Sequence, residues 1–576
     1  MSFTKKSLFA PLPATTRGQA VHLGGDPKGA NFLYTNGRSV IIRSLEHPDV
    51  AKEYTGHSFA TTVARYSPSG FYIASADVQG NVRIWDTTQA ENILKTETKP
   101  FSGRITDLDW DFESKRIIAV GEGKDKFGHA FLFDSASSVG EISGHAKVIN
   151  SVSIRPGRPL RAVTASDDMT VNFYHGVPFK FNRSITNHTR FVQCIFLYDG
   201  KTGDGVAELS AAAGSHAGGV FSASWAADSK QLMTASADQT VKIWDAAAKT
   251  VVSTFSFGEG QSPDDQQVGS LWQGQFLISL SLSGDINYLD PRAGTKPTRV
   301  VRGHAKAITS LAVDSNKTLY SGSYDGRHGG TVVSGSGHSN QIVSIAANQS
   351  KIVTAAMDDS VRSITAESGS FDAAVTATNG VPKSLAARGN LTIFVTTKDE
   401  ITVVADGQKS STKASFVPTA VGLSPDGTTA AVGGEDGVVR LYAVQGTALT
   451  EKGKLENNKG SIMAIAYSPK GDLVAVADSQ RSVFVYETAT NSLKLNQWVF
   501  HTARVNSISW SPDGLHAVSG GLDTNVEVWS VEKPMKHISI KGAHQDSVTG
   551  AVFIDNNTIA TSGQDAQIKI WSLTHY

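Results

Sequence analysis

Apolar and polar positions alternate along this chain in short, regular bursts. They are clearest from His216 to Asp245, where the sequence reads HAGGVFSASWAADSKQLMTASADQTVKIWD. Three apolar runs, VFSASW, QLMTAS and VKIWD, are separated by the polar breaks AADSK and ADQT. Runs of this length with period-two alternation, bounded by small and polar residues, predict strands joined by tight turns. A His stands ahead of the first run and a Trp-Asp pair ends the third, about 28 residues later.

That framing is how a WD40 β-propeller blade reads in sequence. It predicts a role for each marker. His216 lies in the loop before the first strand, Asp238 in the turn between the second and third, and Trp244 on the third. Thr234 or Ser236 completes a buried hydrogen-bond chain among them. Buried imidazoles and carboxylates are costly unless paired, and here each satisfies the next. His216 with Asp238 could also be read as a catalytic pair. The same pair recurs at this spacing along the chain, however, and repetition points to architecture.

The repeat runs from end to end. The first unit, about residues 17–44, lacks Trp-Asp and turns at Asn36-Gly37. The second is framed by His57 and Trp85. In the third, about Phe101 to Asp134, the turn is enlarged to GEGKDKFGH and should project from the blade. The fourth, His145 to Tyr174, has Asp168 at the turn position with Asp167 beside it. The fifth opens at His188 and passes from FVQCIF straight to LYDGKTG, without a second strand or most of a third. The eighth, from His304, is short by nearly a strand and a turn after TLYSGSYDG. The last two carry His501, Asp523 and Trp529, then His544, Asp565 and Trp571. All these His, Asp and Trp residues are expected to hold blades together.

Fourteen units exceed the roughly 4 to 8 blades of one propeller. The expected fold is therefore all-β: two tandem seven-bladed WD40 β-propellers, at 1–296 and 297–576, with blades 5 and 8 truncated. The chain ends on a third strand, so outer strands must come from elsewhere, and KKSLFAP and TRVVRGH are the candidates. Both gaps are clean segments with intact flanks. That favours an alternative transcript or a gene-model error over a divergent protein, and predicts lower stability or activity than a complete relative has.

Composition narrows the function classes. Lys and Arg number 53 and Asp and Glu 53, a balance that argues against a dedicated nucleic-acid binder. The single cysteine, Cys194, excludes an intrachain disulfide and fits a reducing compartment. No apolar run approaches the roughly 20 residues that span a bilayer. Pro11 and Pro13 interrupt the short apolar stretch after the N-terminal lysines, so a signal peptide is rejected and a soluble cytoplasmic monomer without membrane contact is expected. There is no GxSxG elbow, no zinc spacing and no phosphate-binding glycine loop. No metal or other cofactor is expected, nor an enzyme.

Several stretches go beyond a generic repeat. GGDPKGANFLYTNGRSVIIR, SPSGFYIASADVQGNVRIWDTTQ, ESKRIIAVGEGKDKFGHAFLFD, PFKFNRSITNHTRFV, DQQVGSLW and HTARVNSISWSPDG closely resemble the actin-interacting protein 1 family, tandem-propeller partners of ADF/cofilin. The resemblance covers nearly the whole chain. It implies a non-enzymatic regulator at the actin cytoskeleton, which binds filaments carrying ADF/cofilin, promotes their disassembly and caps barbed ends. It also implies a binding surface on the N-terminal propeller around the third to fifth blades. Carried onto matching positions, that surface includes Asp125, Asp167, Phe181 and Phe191, with Lys180 adjacent to Phe181. At Asp125 the family also shows Glu, so only the charge is matched. The residues themselves lend partial support. Asp125 sits in a turn longer than a blade requires. Asp167 precedes the structural Asp168 and is not needed for the blade's own hydrogen bonds, and Phe181 is expected to lie in a connection between blades. The competing reading is a generic propeller scaffold, such as a ubiquitin-ligase substrate receptor, with both Phe side chains merely packed.

Overall fold

The structure is a computed structural model. It describes every residue except Met1, Ala90, 187–196, 208–213, Glu259, Gln261, 325–332, 349–350 and Tyr576. Among the described residues the strands form twelve four-stranded antiparallel sheets and two two-stranded ones. One helical turn, Pro263–Asp265, interrupts them.

The opening repeat shows why each blade forms. Val220–Trp225, Gln231–Ser236, Thr240–Asp245 and Thr250–Ser256 pair in chain order. The second and third strands are buried along most of their length, because a blade packs on both faces. The fourth strand, TVVSTFS, lies at the outer edge and is mostly exposed. Its polarity explains why only three runs per unit stand out in the sequence.

The chain separates into two compact units. One is Leu12–Ala305; the other joins Met1–Pro11 to Lys306–Tyr576. A cut at 296/297 would therefore pass through blade 7, whose outer strand Arg299–Val301 pairs with Ile286–Leu289. Ser2–Phe9 pairs with Ile568–Thr574 and supplies the outer strand of blade 14. The two candidate strands are thus assigned: the connector completes the first unit and the N-terminus completes the second.

In the second unit the first strands of successive blades touch one another, and Val548–Asp555 of blade 14 meets Ile308–Val313 of blade 8, closing the circle. Blade 8 keeps its place although among the described residues it has only Ile308–Val313 and Leu319–Ser323. Ile308 and Leu311 pack with Ala560 and Ile568 of blade 14, and Ala312 packs with Ile342 and Ile345 of blade 9. In the first unit Gly24–Gly25 begins blade 1 and touches both Thr61–Tyr66 and Gln267–Gln273. A Cβ on Gly25 would fall 2.1 Å from Gln273 Oε1, so a larger residue at this join would have to displace the Gln273 side chain. Blade 5 has Leu197–Tyr198 paired with Gly205–Ala207. Arg183 of blade 4 binds the Thr202 carbonyl at 3.0 Å and Asp204 at 2.9 Å, tying that short hairpin to its neighbour. FVQCIF, including Phe191 and Cys194, lies outside the described residues.

Side chains on the first strands also link blades. Asp107 and Asp109 of blade 3 accept from the Val152 and Ile154 N–H groups of blade 4 at 3.1 and 2.7 Å. Ser222 and Ser224 of blade 6 accept from Ser270 and Trp272 of blade 7 at 3.1 and 2.8 Å. Both partners of each bond are innermost, so these links hold the centre of the ring.

Deleting residues 1–10 should weaken the second unit, not the first. Phe3 lies edge-on to Trp571 with ring centroids 5.9 Å apart, and both that contact and the strand pairing would go. Amide exchange in Ile568–Thr574 is expected to accelerate roughly tenfold or more while Leu12–Ala305 is unaffected. Unchanged protection in Ile568–Thr574 would show that the N-terminal strand contributes nothing.

Candidate protein-binding face

A buried polar chain fixes one end of each well-formed blade. In blade 6 the Trp244 Nε1–H donates to Thr234 Oγ1 at 2.8 Å, and Thr234 in turn meets His216 Nε2 at 2.8 Å. His216 Nδ1 lies 2.9 Å from Asp238 Oδ2. A neutral imidazole protonated on Nδ1 satisfies every member. Of the two hydroxyls open from the sequence, Thr234 therefore links His216 to Trp244. Blade 13 repeats the chain through Trp529, Ser519, His501 and Asp523, and blade 14 through Trp571, Thr561, His544 and Asp565. In blade 4 His145 reaches Asp168 at 2.9 Å and Thr164 at 2.7 Å. In blade 2 the carboxylate is Asp77, two residues earlier, at the end of the second strand; it meets His57 at 3.3 Å while Trp85 binds Ser75. Asp77 was recognisable as the only acid near that turn, but its offset hid it. In blade 12 Asn458 replaces the imidazole and binds Asp478 and Tyr486.

Burial pushes the His145 imidazole below its ordinary value, and Asp168 only partly offsets this. Burial alone would raise Asp168. Hydrogen bonds from Thr170, the Ala146 N–H and His145 outweigh it and hold the carboxyl at about 2. Asp523 is likewise held at about 2, chiefly by His501 against its burial.

The same end of the blade carries a second repeating bond. The first residue after the second strand donates its N–H to the loop preceding the first strand: Val78 to Ala60, Asp167 to Val148, Ala237 to Gly219, Leu522 to Arg504. These loops and turns therefore form one face of each ring. In blade 3 the donor is Lys124, to Ser102 at 3.3 Å. Lys124 thus joins its turn to the preceding loop as Asp167 does, two residues further along because the blade 3 strands run on past the Ile105–Gly121 pair, and Asp125 stands next to it, exposed. The blade 3 turn is also longer. Gly121 N–H reaches the Phe127 carbonyl six residues on, whereas Ser166 reaches Thr170, four on.

Asp125 and Asp167 accordingly share one face of adjacent blades. Two expectations are corrected. Asp167 does take part in its blade: its Oδ1 accepts from Asn150 Nδ2 at 2.7 Å, because the first strand passes beneath the turn. Phe181 lies not in a connection but on the outer strand Lys180–Ile185 of blade 4. The register pairs His175 with Lys180 and Tyr174 with Phe181, at the end of the sheet away from Asp167. Phe181 is 44% exposed, with its ring edge-on to Tyr174 at 6.2 Å. Within PFKF, Phe179 is fully buried in the blade 3–blade 4 core and Lys180 is exposed. Phe191 lies outside the described residues. The structure thus groups Asp125 with Asp167, and separately Lys180 with Phe181. Lys124 was missed, since only the backbone bonding shows that it joins the turn to the preceding loop.

Among the described residues no cluster of His, Cys, Asp or Glu could hold a metal ion. None of the described helices is long and apolar enough to cross a membrane.

Four-stranded blades, the recurring His–Asp–hydroxyl–Trp chain and the circular first strands define a WD40-repeat protein with tandem β-propeller architecture. The WD domain, G-beta repeat, matches at residues 49–86, 136–175, 206–245, 295–327, 409–443, 494–530 and 535–572. Over its full length the chain is 44% identical to chicken WD repeat-containing protein 1, an alignment of 609 residues covering all of both. It is 42% identical to Drosophila melanogaster actin-interacting protein 1 over 601 residues, covering 99% of this chain and 98% of the relative. It is 42% identical to the 66 kDa stress protein of Physarum polycephalum, with both chains fully covered. The chain belongs to the family of actin-interacting protein 1 and WD repeat-containing protein 1. These alignments are longer than the 576 residues of this chain, so the relatives carry residues that it lacks.

Three outcomes are expected. Ser519→Ala should destabilise the second unit by about 1–3 kcal/mol in denaturant titration, since His501 and Trp529 each lose a buried partner. Stability should fall as pH drops from about 4 towards 2. Asp168 and Asp523 are depressed below the ordinary carboxylate value of 3.8, so their contribution is complete above it and lost as they protonate. Asp523→Asn should remove part of that acid dependence. Finally, Asp167→Asn can still accept from Asn150 and should melt like the parent, while Asp167→Ala should lose about 0.5–1.5 kcal/mol.

Proposed function

We propose that this chain is a non-enzymatic regulator of actin filaments that works with ADF/cofilin. It would promote filament disassembly and cap barbed ends, acting as a monomer in the cytoplasm at the actin cytoskeleton. The observation that carries this reading is the full-length likeness to a protein named actin-interacting protein 1. The placement of Asp125 and Asp167 on one face of neighbouring blades supports it. Rigid blades hold both acids in fixed positions, so a partner can engage them at little ordering cost. Lys180 and the exposed half of Phe181 offer a second contact on the outer edge of blade 4.

A non-catalytic role fits the chemistry of the His–Asp pairs. The Ser519 and Thr234 hydroxyls beside them are buried and already accept from Trp529 and Trp244. A nucleophile needs an open approach and a free lone pair.

Co-sedimentation with actin filaments, with and without cofilin, tests the reading. Binding should strengthen when cofilin decorates the filament. Asp125→Ala and Asp167→Asn should each weaken it roughly tenfold, on the scale of a charged contact. Absence of the chain from the pellet under both conditions would remove the proposal and leave a scaffold for other partners.

A further inference from the structure

The face that carries Asp125 and Asp167 holds two apolar side chains that its architecture does not require. Phe59 lies in the loop before the first strand of blade 2, two residues after His57, and is 46% exposed. The corresponding residue is Lys147 in blade 4, Gly218 in blade 6, Asn340 in blade 9 and Asp546 in blade 14. Met169 follows the turn acid of blade 4 and is 39% exposed. Its backbone is left-handed, with φ of 65°. Gln239, Thr524 and Ala566 hold the same conformation in blades 6, 13 and 14. Elsewhere, then, both positions are polar or small, as a solvated loop should be. A long apolar side chain in a left-handed turn adds backbone strain to the cost of exposed apolar surface.

Both residues are tied to the face by the bonds described above. The loop holding Phe59 accepts from Val78 through Ala60, and the turn holding Met169 starts from Asp167, bonded to Val148. Between them, on blade 3, stand Lys124 and Asp125. Three consecutive blades therefore present an apolar group, a charged pair, and an acid with an apolar group. Large apolar side chains flanked by charge are what the energetic centre of an interface requires, and a methionine adapts its shape to its partner.

We propose that Phe59 and Met169 are anchor residues of the same surface as Asp125 and Asp167, extending the filament-binding face across blades 2 to 4. This rests on the reading of that face as the site for cofilin-decorated actin. The partner would offer an apolar recess at each end of a strip that pairs with the charged residues.

The test is co-sedimentation of the full chain with actin filaments saturated with cofilin. Phe59→Ala and Met169→Ala should each weaken binding about fivefold or more. Phe71→Ala is the control: Phe71 is 49% exposed, but it follows the turn between the first and second strands, at the other end of blade 2. It should bind like the parent. Met169→Gly relieves the left-handed strain, so it should raise the melting temperature while still weakening binding, which no folding defect would produce. If Asp125→Ala and Asp167→Asn weaken binding but neither Phe59→Ala nor Met169→Ala does, the extension is overturned. If none of the four has an effect, the parent reading fails and the extension with it.

Discussion

A single hydroxyl at the middle of the second strand governs how these blades are built. Thr234 or Ser519 accepts a hydrogen bond from the third-strand Trp and faces the imidazole of the preceding loop. The imidazole in turn fixes the turn acid. Four segments distant in sequence are thereby locked by groups that cannot be left unpaired once buried. The loop before the first strand and the turn after the second become one rigid surface. Any binding chemistry on that surface inherits its positions from this buried chain.

The repeat also tolerates loss at one place better than its closed form suggests. Among the described residues blade 8 has two strands, yet its first strand touches blades 9 and 14 and the circle of the second unit is unbroken. The reason is that ring contacts run mainly between first strands, which are innermost. Missing outer strands remove edge pairing and lateral packing while the inner circle remains. In the first unit, Asp107, Asp109, Ser222 and Ser224 show the same inner ring being reinforced by side chains that cap the next blade's backbone.

The acids proposed for binding and the acids that hold blades are neighbours in sequence, and the distinction between them is one of partners. Asp168 is bonded by His145, Thr170 and the Ala146 N–H, and its carboxyl is held at about 2. Asp167 is bonded by Asn150 and stays at the surface. Asp125 lies at a turn whose blade has Phe101 rather than a histidine in the preceding loop, so it is free of the blade's polar chain.

Much was legible in the sequence alone. Period-two alternation, turn residues and the His-to-Trp spacing determined strand order within each unit, the number of units and the shortness of the fifth and eighth. These depend on local pattern, because a blade's first three strands are consecutive and each must bury its apolar side. Tertiary structure decided the rest. The outer strand of blade 14 comes from the opposite end of the chain, a pairing no local pattern encodes. Phe179 and Phe181 look alike in PFKF, yet Phe179, left-handed in the turn before the outer strand, is buried in the core, while Phe181 on that strand is half exposed. Asp167 gains Asn150 because the fold brings the first strand beneath the turn. Lys124, Asp125 and Asp167 share a face because backbone bonds between loops put them there. Local alternation sets which side of a strand is apolar; only the closure of the rings sets which residues meet.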